Sequence, residues 1–343
     1  MEYRFLGKSG LQVSALSLGT WTFGGSEDTQ HIGKTQVAEA RELVDICIEA
    51  GVNLFDTADE YSLGQAETVL GQAIGKERRD KVLIATKVFF QMGPEIHDIG
   101  LSRRHIIKAC EESLKRLNTD YIDLYQAHCF DALTPLEETL EAFDQLIRDG
   151  KVRYIGSSNF TAWQSMKAKS IAAKKGYQSF ISQQVYYSLL GRDLEMELIP
   201  FAVDQKIGSL IWSPLAFGLL SGKYKRGTPP PAETRLVPGA ESFLPIDMER
   251  FYTIQDVLEK IAAARAKTVP QVALNWLLQR PAVSSVIIGA RNAQQLRDNL
   301  GAVGWHLTVD EMKQLDAVSR IPDTYPSWLQ RRFASDRNPM VIV

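Results

Sequence analysis

Three cysteines in 343 residues are too few and too scattered for a disulfide framework. Cys47, Cys110 and Cys129 form an odd set, which fits a reducing compartment. Cys47 and Cys110 fall in helical patterns and read as core. No uninterrupted apolar stretch is long enough to span a bilayer. Met1-Glu2-Tyr3-Arg4 carries neither the basic region nor the apolar core of a secretory signal, so a cytoplasmic protein is expected. Charge is nearly balanced, with 39 Lys and Arg against 41 Asp and Glu, and nothing directs the chain to nucleic acid or an anionic membrane. The basic doublets Arg78-Arg79, Arg103-Arg104 and Arg331-Arg332 are isolated and read as solvated. The five histidines, His31, His97, His105, His128 and His306, never form an HxxxH or HxH pair, so no metal site is expected. No GxGxxG follows the first strand pattern. Gly19-Thr20-Trp21-Thr22-Phe23-Gly24-Gly25 has the wrong spacing, which disfavours a Rossmann domain.

What the chain does have is a long alternation of strand and helix signals. Hydrophobic content of 45% and charged content of 23% are ordinary globular values. A hairpin opens it: Tyr3-Arg4-Phe5-Leu6 and Leu11-Gln12-Val13 flank the turn-rich Gly7-Lys8-Ser9-Gly10. Strands are then expected at Ala15–Leu18, Asn53–Phe55, Val82–Thr86, Ile122–Gln126, Tyr154–Gly156, Ile181–Val185, Ser209–Trp212 and Val286–Ile288. Helices are expected at Val37–Ala50, Ala66–Ile74, Arg104–Leu117, Leu136–Arg148, Ala162–Lys175, Leu194–Asp204 and Gln294–Leu300. Ser102 can cap the third of these. Thr134-Pro135-Leu136-Glu137 and Thr308-Val309-Asp310-Glu311 read as capping boxes. Eight alternations without a break in composition favour a closed α/β barrel of the (β/α)8, or TIM, type, with the hairpin at its start. A barrel takes about 250 residues or more, so one domain is expected over 1–343: hairpin 3–13, barrel about 15–302, C-terminal helix and tail about 308–343. The regular spacing fails between the last two strands. That gap holds Gly227-Thr228-Pro229-Pro230-Pro231, of mobile-loop composition, and helical patterns at Ile254–Ala266 and Pro270–Leu278. The tail carries Tyr325, Trp328 and Phe333, placed either to cover a substrate mouth or to meet a neighbouring subunit.

Four ionisable residues fall at or just past the ends of three consecutive strand candidates: Asp56, Tyr61, Lys87 and His128. Charged groups ending buried strands are costly unless they face a cleft. Taken singly they are an ion pair, a core tyrosine and a satisfied histidine; together they suggest one site. A phenol of pKa about 10 is a weak donor near neutral pH. The Lys87 ammonium would pull that pKa down, Asp56 would hold Lys87, and His128 would bond a substrate oxygen or relay a proton. Such a set suits a carbonyl that takes a proton on oxygen while a hydride reaches its carbon.

These segments resemble the aldo-keto reductases. The resemblance rests on Gly51-Val52-Asn53-Leu54-Phe55-Asp56-Thr57-Ala58-Asp59-Glu60-Tyr61, Thr86-Lys87, Asp123-Leu124-Tyr125-Gln126-Ala127-His128 and Gly156-Ser157-Ser158-Asn159-Phe160. It continues through Gln183-Gln184-Val185, Trp212-Ser213-Pro214-Leu215-Ala216 and Ile288-Gly289-Ala290-Arg291, in the family's order, from about Tyr3 to about Ile321. Within the family the chain looks like the branch of bacterial aldehyde reductases and potassium-channel β-subunits. The resemblance implies an extended nicotinamide dinucleotide across the barrel top. It carries over Thr20, Trp21, Asp56, Ser158, Asn159, Gln184 and Trp212 as contacts near the nicotinamide. Ser213, Pro214, Leu215, Ala216, Gly218, Ser221 and Lys223 would lie along the pyrophosphate, and Gly289, Ala290, Arg291, Gln295, Asp298 and Asn299 at the adenosine end. Barrels commonly bind phosphate after their last two strands. Arg291 suits a 2′-phosphate, which favours NADPH over NADH, and Arg235 in the long loop would clamp the phosphates.

The run His128-Cys129-Phe130-Asp131 departs from relatives that place Trp or Arg after the histidine. The channel β-subunits have Asn where this chain has His128, which favours an active reductase. Cys129 is either a redox-sensitive thiol or a small packing residue. Trp21, Phe23, Phe89, Phe90, Phe130 and Tyr187 are expected to wall an apolar pocket. The expected function is NADPH-dependent reduction of aldehydes or ketones to alcohols. The alternatives are an NADP-binding regulatory subunit of slow turnover and an NADP-dependent alcohol oxidation. The expected partner is a small carbonyl compound, with a homo-oligomer, tetramer or octamer, implied by the branch.

Overall fold

A computed structural model describes residues 1–25, 34–228 and 247–333. His31, Arg235, Arg337 and the prolines at 229–231 lie outside the described residues. The hairpin is β1 (Tyr3–Phe5) against β2 (Gln12–Ser14), antiparallel, with Tyr3 opposite Ser14. Its turn is pressed against the barrel floor. A Cβ at Gly7, at φ +60°, would sit 2.6 Å from the Ile181 carbonyl and 2.7 Å from that of Lys206, so only glycine fits.

Eight strands then close a barrel in which every neighbour is parallel: β3 (Leu16–Gly19), β4 (Leu54–Asp56), β5 (Leu83–Val88), β6 (Ile122–Ala127), β7 (Val152–Ser158), β8 (Ser182–Tyr186), β9 (Gly208–Trp212) and β10 (Val283–Ile288). Inward positions Leu54, Ala85, Leu124, Leu210 and Ile287 fill the interior, and Leu6 and Val13 of the hairpin close it from below. A larger core lies between strands and helices. The helices are α1 (Val37–Glu49), α2 (Gln65–Ile74), α3 (Arg103–Leu117), α4 (Leu136–Arg148), α5 (Ala162–Lys175), α6 (Leu198–Gln205), α7 (Met248–Arg265), α8 (Val269–Leu278), α9 (Ala293–Leu300), α10 (Val309–Ser319) and α11 (Ser327–Arg332). Among the described residues none is long and apolar enough to cross a membrane.

Local signals explain most boundaries. The Ser102 hydroxyl caps α3 by accepting from the His105 N–H, and Thr308 with Glu311 forms a complete capping box on α10. The box expected at Thr134 is not there. Pro135 is the N-cap of α4, and the Thr134 hydroxyl instead donates to Asp131 Oδ2 at 2.7 Å. The helix expected over Leu194–Asp204 breaks into a short turn, Asp193–Glu195, and α6. Pro200 has no N–H to give and is tolerated only in a first turn, so the helix must start just before it. The helix α7 begins at Met248, earlier than its apolar pattern, because Asp247 accepts from the N–H groups of Glu249 and Arg250.

Candidate active site

The barrel brings all four candidate residues to the carboxyl ends of β4, β5 and β6. Asp56 is the last residue of β4, Lys87 lies one from the end of β5, and His128 follows β6 directly. Tyr61 opens a short turn, Tyr61–Gly64, beyond β4. Lys87 Nζ donates to Asp56 Oδ1 at 2.7 Å, to the Thr57 carbonyl at 2.7 Å and to Tyr61 Oη at 3.1 Å. The ammonium thus bridges carboxylate and phenol, wholly buried. Burial acts to strip its proton, but Asp56 and Tyr61 outweigh burial, and its pKa is raised.

Lys87 pulls the tyrosine's pKa down as expected, but burial pulls harder the other way. Burial pushes the Tyr61 phenol up to about 12, against the opposing pull of Lys87. Desolvation of a phenolate inside the barrel mouth outweighs one ammonium at hydrogen-bond distance. Tyr61 therefore keeps its proton at neutral pH. His128 moves the opposite way: burial, and then the Lys87 charge, hold it well below 6.5, so its imidazole is neutral. Its Nδ1 is buried without a partner, and its ring lies 5.9 Å from Tyr61 and 4.9 Å from Phe90, centroid to centroid.

A residue the sequence reading missed completes the floor. Asp56 Oδ2 accepts from Gln184 Nε2 at 2.7 Å and from Gln126 Nε2 at 3.4 Å. Gln126 alternates inward with Leu124, which its place in Asp123-Leu124-Tyr125-Gln126 signals once the inward face is known.

The residues carried over as nicotinamide contacts form one network. Thr20 N and Oγ1 both donate to the Asp56 carbonyl, at 2.9 and 3.1 Å. Asn159, in the left-handed region at φ 55°, donates to the His128 carbonyl at 3.0 Å and to Ser158 Oγ at 3.1 Å, and accepts from Trp212 Nε1 at 3.2 Å. Trp212 ends β9, packed against Tyr186 and, edge-on, Phe217; Phe217 also meets Trp21. After β9 the chain from Ser213 to Gly222 turns through left-handed residues at Ser213, Ala216, Phe217, Gly218 and Gly222, which bend the backbone into a cradle. The Lys223 ammonium lies close to Gly218. After β10, Gly289 faces open space, where an added Cβ would meet nothing. Ala290 is buried beside it, the Arg291 N–H donates to Gln295 Oε1 at 3.0 Å, and Asn299 donates to the Gly289 carbonyl. The Asp298 carboxylate accepts from Thr268 and Gln271, bracing α8. The left-handed loop after β9 with Lys223 beside Gly218, and the open Gly289 followed by Arg291 after β10, fit an extended anionic dinucleotide.

Two expected pocket walls lie elsewhere. Phe23 is buried in the core. Tyr187 packs behind the barrel on Trp276 and hydrogen-bonds Glu195, with Arg280 donating to its hydroxyl. Its neighbour Tyr186 is the ring beside Trp212. Phe89, Phe90 and Phe130 do flank the His128 side, Phe130 meeting Phe160 and the exposed Trp163. Burial raises the Cys129 thiol's pKa, which disfavours a reactive thiolate. The tail rings of Tyr325, Trp328 and Phe333 are exposed, and Thr324 reaches Met196 before α6.

Residues 15–320 match the model of the aldo/keto reductase family. The chain is 39% identical over 332 residues to the uncharacterized oxidoreductase YrpG of Bacillus subtilis, covering 93% of this chain and 96% of that one. It is 38% identical over 341 residues to a probable voltage-gated potassium channel subunit beta of Arabidopsis thaliana, covering 95% and 100%. A putative subunit of the same kind from Schizosaccharomyces pombe is 39% identical over 330 residues, covering 93% of each.

Proposed function

From the premise that the chain belongs to the aldo/keto reductase family, whose members reduce carbonyls with nicotinamide cofactors, we propose that it reduces aldehydes and ketones with NADPH, using Tyr61 as proton donor. The observation that carries this is the Lys87 ammonium held between Asp56 Oδ1 and Tyr61 Oη. Trp212, Ser158, Asn159 and Gln184 are the residues that would hold a nicotinamide, which when bound would supply the hydride. The chain's own residues do the rest. Neutral His128 offers a hydrogen bond to the carbonyl oxygen and orients it beside Tyr61. Tyr61 is protonated at neutral pH, as a donor must be, and gives its proton to that oxygen as negative charge builds there. The phenolate left behind lies 3.1 Å from an ammonium that Asp56 keeps charged. Gln126 and Gln184 occupy the second oxygen of Asp56, so it stays aimed at Lys87.

NADPH rather than NADH is the choice because Arg291 stands at the adenosine end, after β10, where a guanidinium would grip a 2′-phosphate. The catalytic set is Asp56, Tyr61, Lys87 and His128. Purified protein, NADPH and a panel of aliphatic, aromatic and sugar aldehydes, followed by nicotinamide absorbance, test the proposal. Tyr61→Phe should abolish most turnover and leave NADPH affinity nearly intact; equal turnover would sink the mechanism.

A second reading follows from the relatives named as channel β-subunits: an NADP-binding subunit of slow turnover that reports redox state to a partner. Tight NADPH binding without turnover of any panel member, or of alcohols with NADP⁺, would select it.

A further inference from the structure

The turn that carries Tyr61 is strained. Ser62 (φ 50°, ψ 39°) and Leu63 (φ 50°, ψ 48°) are consecutive non-glycine residues in the left-handed region, and Gly64 follows at φ +87°. Such a conformation persists only where its surroundings hold it. One clamp is a single hydroxyl. Ser62 Oγ donates to the Phe23 carbonyl at 3.1 Å and accepts from the Gly25 N–H at 3.1 Å. The two segments are also in close contact. A Cβ at Gly24 would fall 3.2 Å from Ser62 Cβ and 2.7 Å from Gln65 Cβ.

The segment so clamped, Thr20–Gly25, touches each part of the site. Thr20 bonds the Asp56 carbonyl, Trp21 meets Phe217 of the loop after β9, and Thr22 Oγ1 donates to the Ala290 carbonyl at 3.4 Å, next to Arg291. A dinucleotide lying across the barrel top would pack along this segment. Ser62, the residue after the proposed proton donor, is therefore hydrogen-bonded directly to the segment along which the cofactor would lie.

We propose that Ser62 is a positioning residue for the reduction, its hydroxyl fixing the Tyr61 turn to the Thr20–Gly25 segment so that the phenol is set against Lys87 when the cofactor is in place. This rests on the reductase reading. Without the hydroxyl the turn has lost a clamp and Tyr61 drifts from its 3.1 Å contact with Lys87. A misplacement of about 1 Å costs up to about a hundredfold in rate.

The test compares wild type, Ser62→Ala, Ser62→Gly and Tyr61→Phe under the same NADPH and aldehyde conditions. Ser62→Gly guards against misfolding, because glycine suits φ 50° better than serine does. Expected for both Ser62 variants is a fall in kcat of about ten- to a hundredfold, with the NADPH Kd, read from tryptophan quenching, changed less than about threefold. The alkaline limb of the kcat–pH profile should also shift, because the ammonium no longer sits where it lowers the phenol's pKa. Unchanged kcat in both variants overturns the proposal, as does a kcat loss that merely tracks weaker NADPH binding with the pH limb unmoved. Wild type without Tyr61-dependent turnover would overturn the reductase reading itself, a different result from an active wild type matched by its Ser62 variants.

Discussion

Replacing Asp59 by Asn should stabilise the fold, and by an amount that grows with pH. Asp59 lies in the segment between β4 and the Tyr61 turn, fully buried, and among the described residues no side chain hydrogen-bonds its carboxyl oxygens. Burial, and then the neighbouring Glu67 carboxylate, raise its pKa well above 3.8, with Arg116 and the Glu60 backbone N–H only partly opposing. Glu67 is held in place beside Asp59 by Thr86 Oγ1 at 2.5 Å and by Arg116 Nε at 2.6 Å. The folded chain thus keeps a proton that the unfolded chain gives up near pH 3.9. A group whose folded pKa is raised contributes fully below its unfolded pKa and loses that contribution as pH rises to the folded value. Between the two, each pH unit costs about 1.4 kcal/mol. Were Asp59 still protonated at pH 7, the work of protonating it would be about 4 kcal/mol, which bounds the loss. Asn keeps the shape and cannot ionise. Urea unfolding of wild type and Asp59→Asn at pH 5, 6, 7 and 8 should show a gap favouring the variant that widens by about 1.4 kcal/mol per unit and then levels off at the folded pKa. A gap independent of pH, or a less stable variant, would refute the reasoning.

Lys87→Met should lose nearly all turnover and about 3–5 kcal/mol of stability, because it leaves Asp56 buried without its counter-charge; turnover assays and denaturant melts of the variant check both losses. The pH profile of carbonyl reduction should be flat through neutrality and fall only on the alkaline side, since the protonated phenol is the active form and Tyr61 is held up to about 12; a break near pH 7 in kcat would contradict that assignment. Arg291→Ala should cut the preference for NADPH over NADH by about ten- to a hundredfold, the weight of a charge-assisted contact of 1.5–3 kcal/mol; an unchanged ratio of the two kcat/KM values would place the 2′-phosphate elsewhere.

The barrel and the meeting of Asp56, Tyr61, Lys87 and His128 at its mouth were legible because the cue was local: an apolar run closing on a polar or ionisable side chain, three times in succession. Ser158-Asn159 stood out for the same reason. What sequence could not weigh was facing and burial. Tyr186 and Tyr187 are adjacent in a strand and its exit, and one residue of register decides which ring meets Trp212 and which one packs on Trp276 behind the barrel. Gln126 hid in an unbroken buried strand, where inward and outward residues look alike. Lys87 was correctly seen to pull on the tyrosine, but the opposing cost of desolvating a phenolate depends on everything packed around it. Thr134 failed as a cap because Asp131, three residues back, competes for its hydroxyl.

The hairpin beneath the barrel has a consequence for proton traffic. With Leu6 and Val13 plugging the bottom, and Leu54, Ala85, Leu124, Leu210 and Ile287 filling the interior, the Asp56–Lys87 pair sits over an apolar column. A proton spent by Tyr61 cannot be replenished through that column. It must return through the mouth by which the alcohol departs, so that under the proposed mechanism recharging the acid and emptying the site share a single doorway.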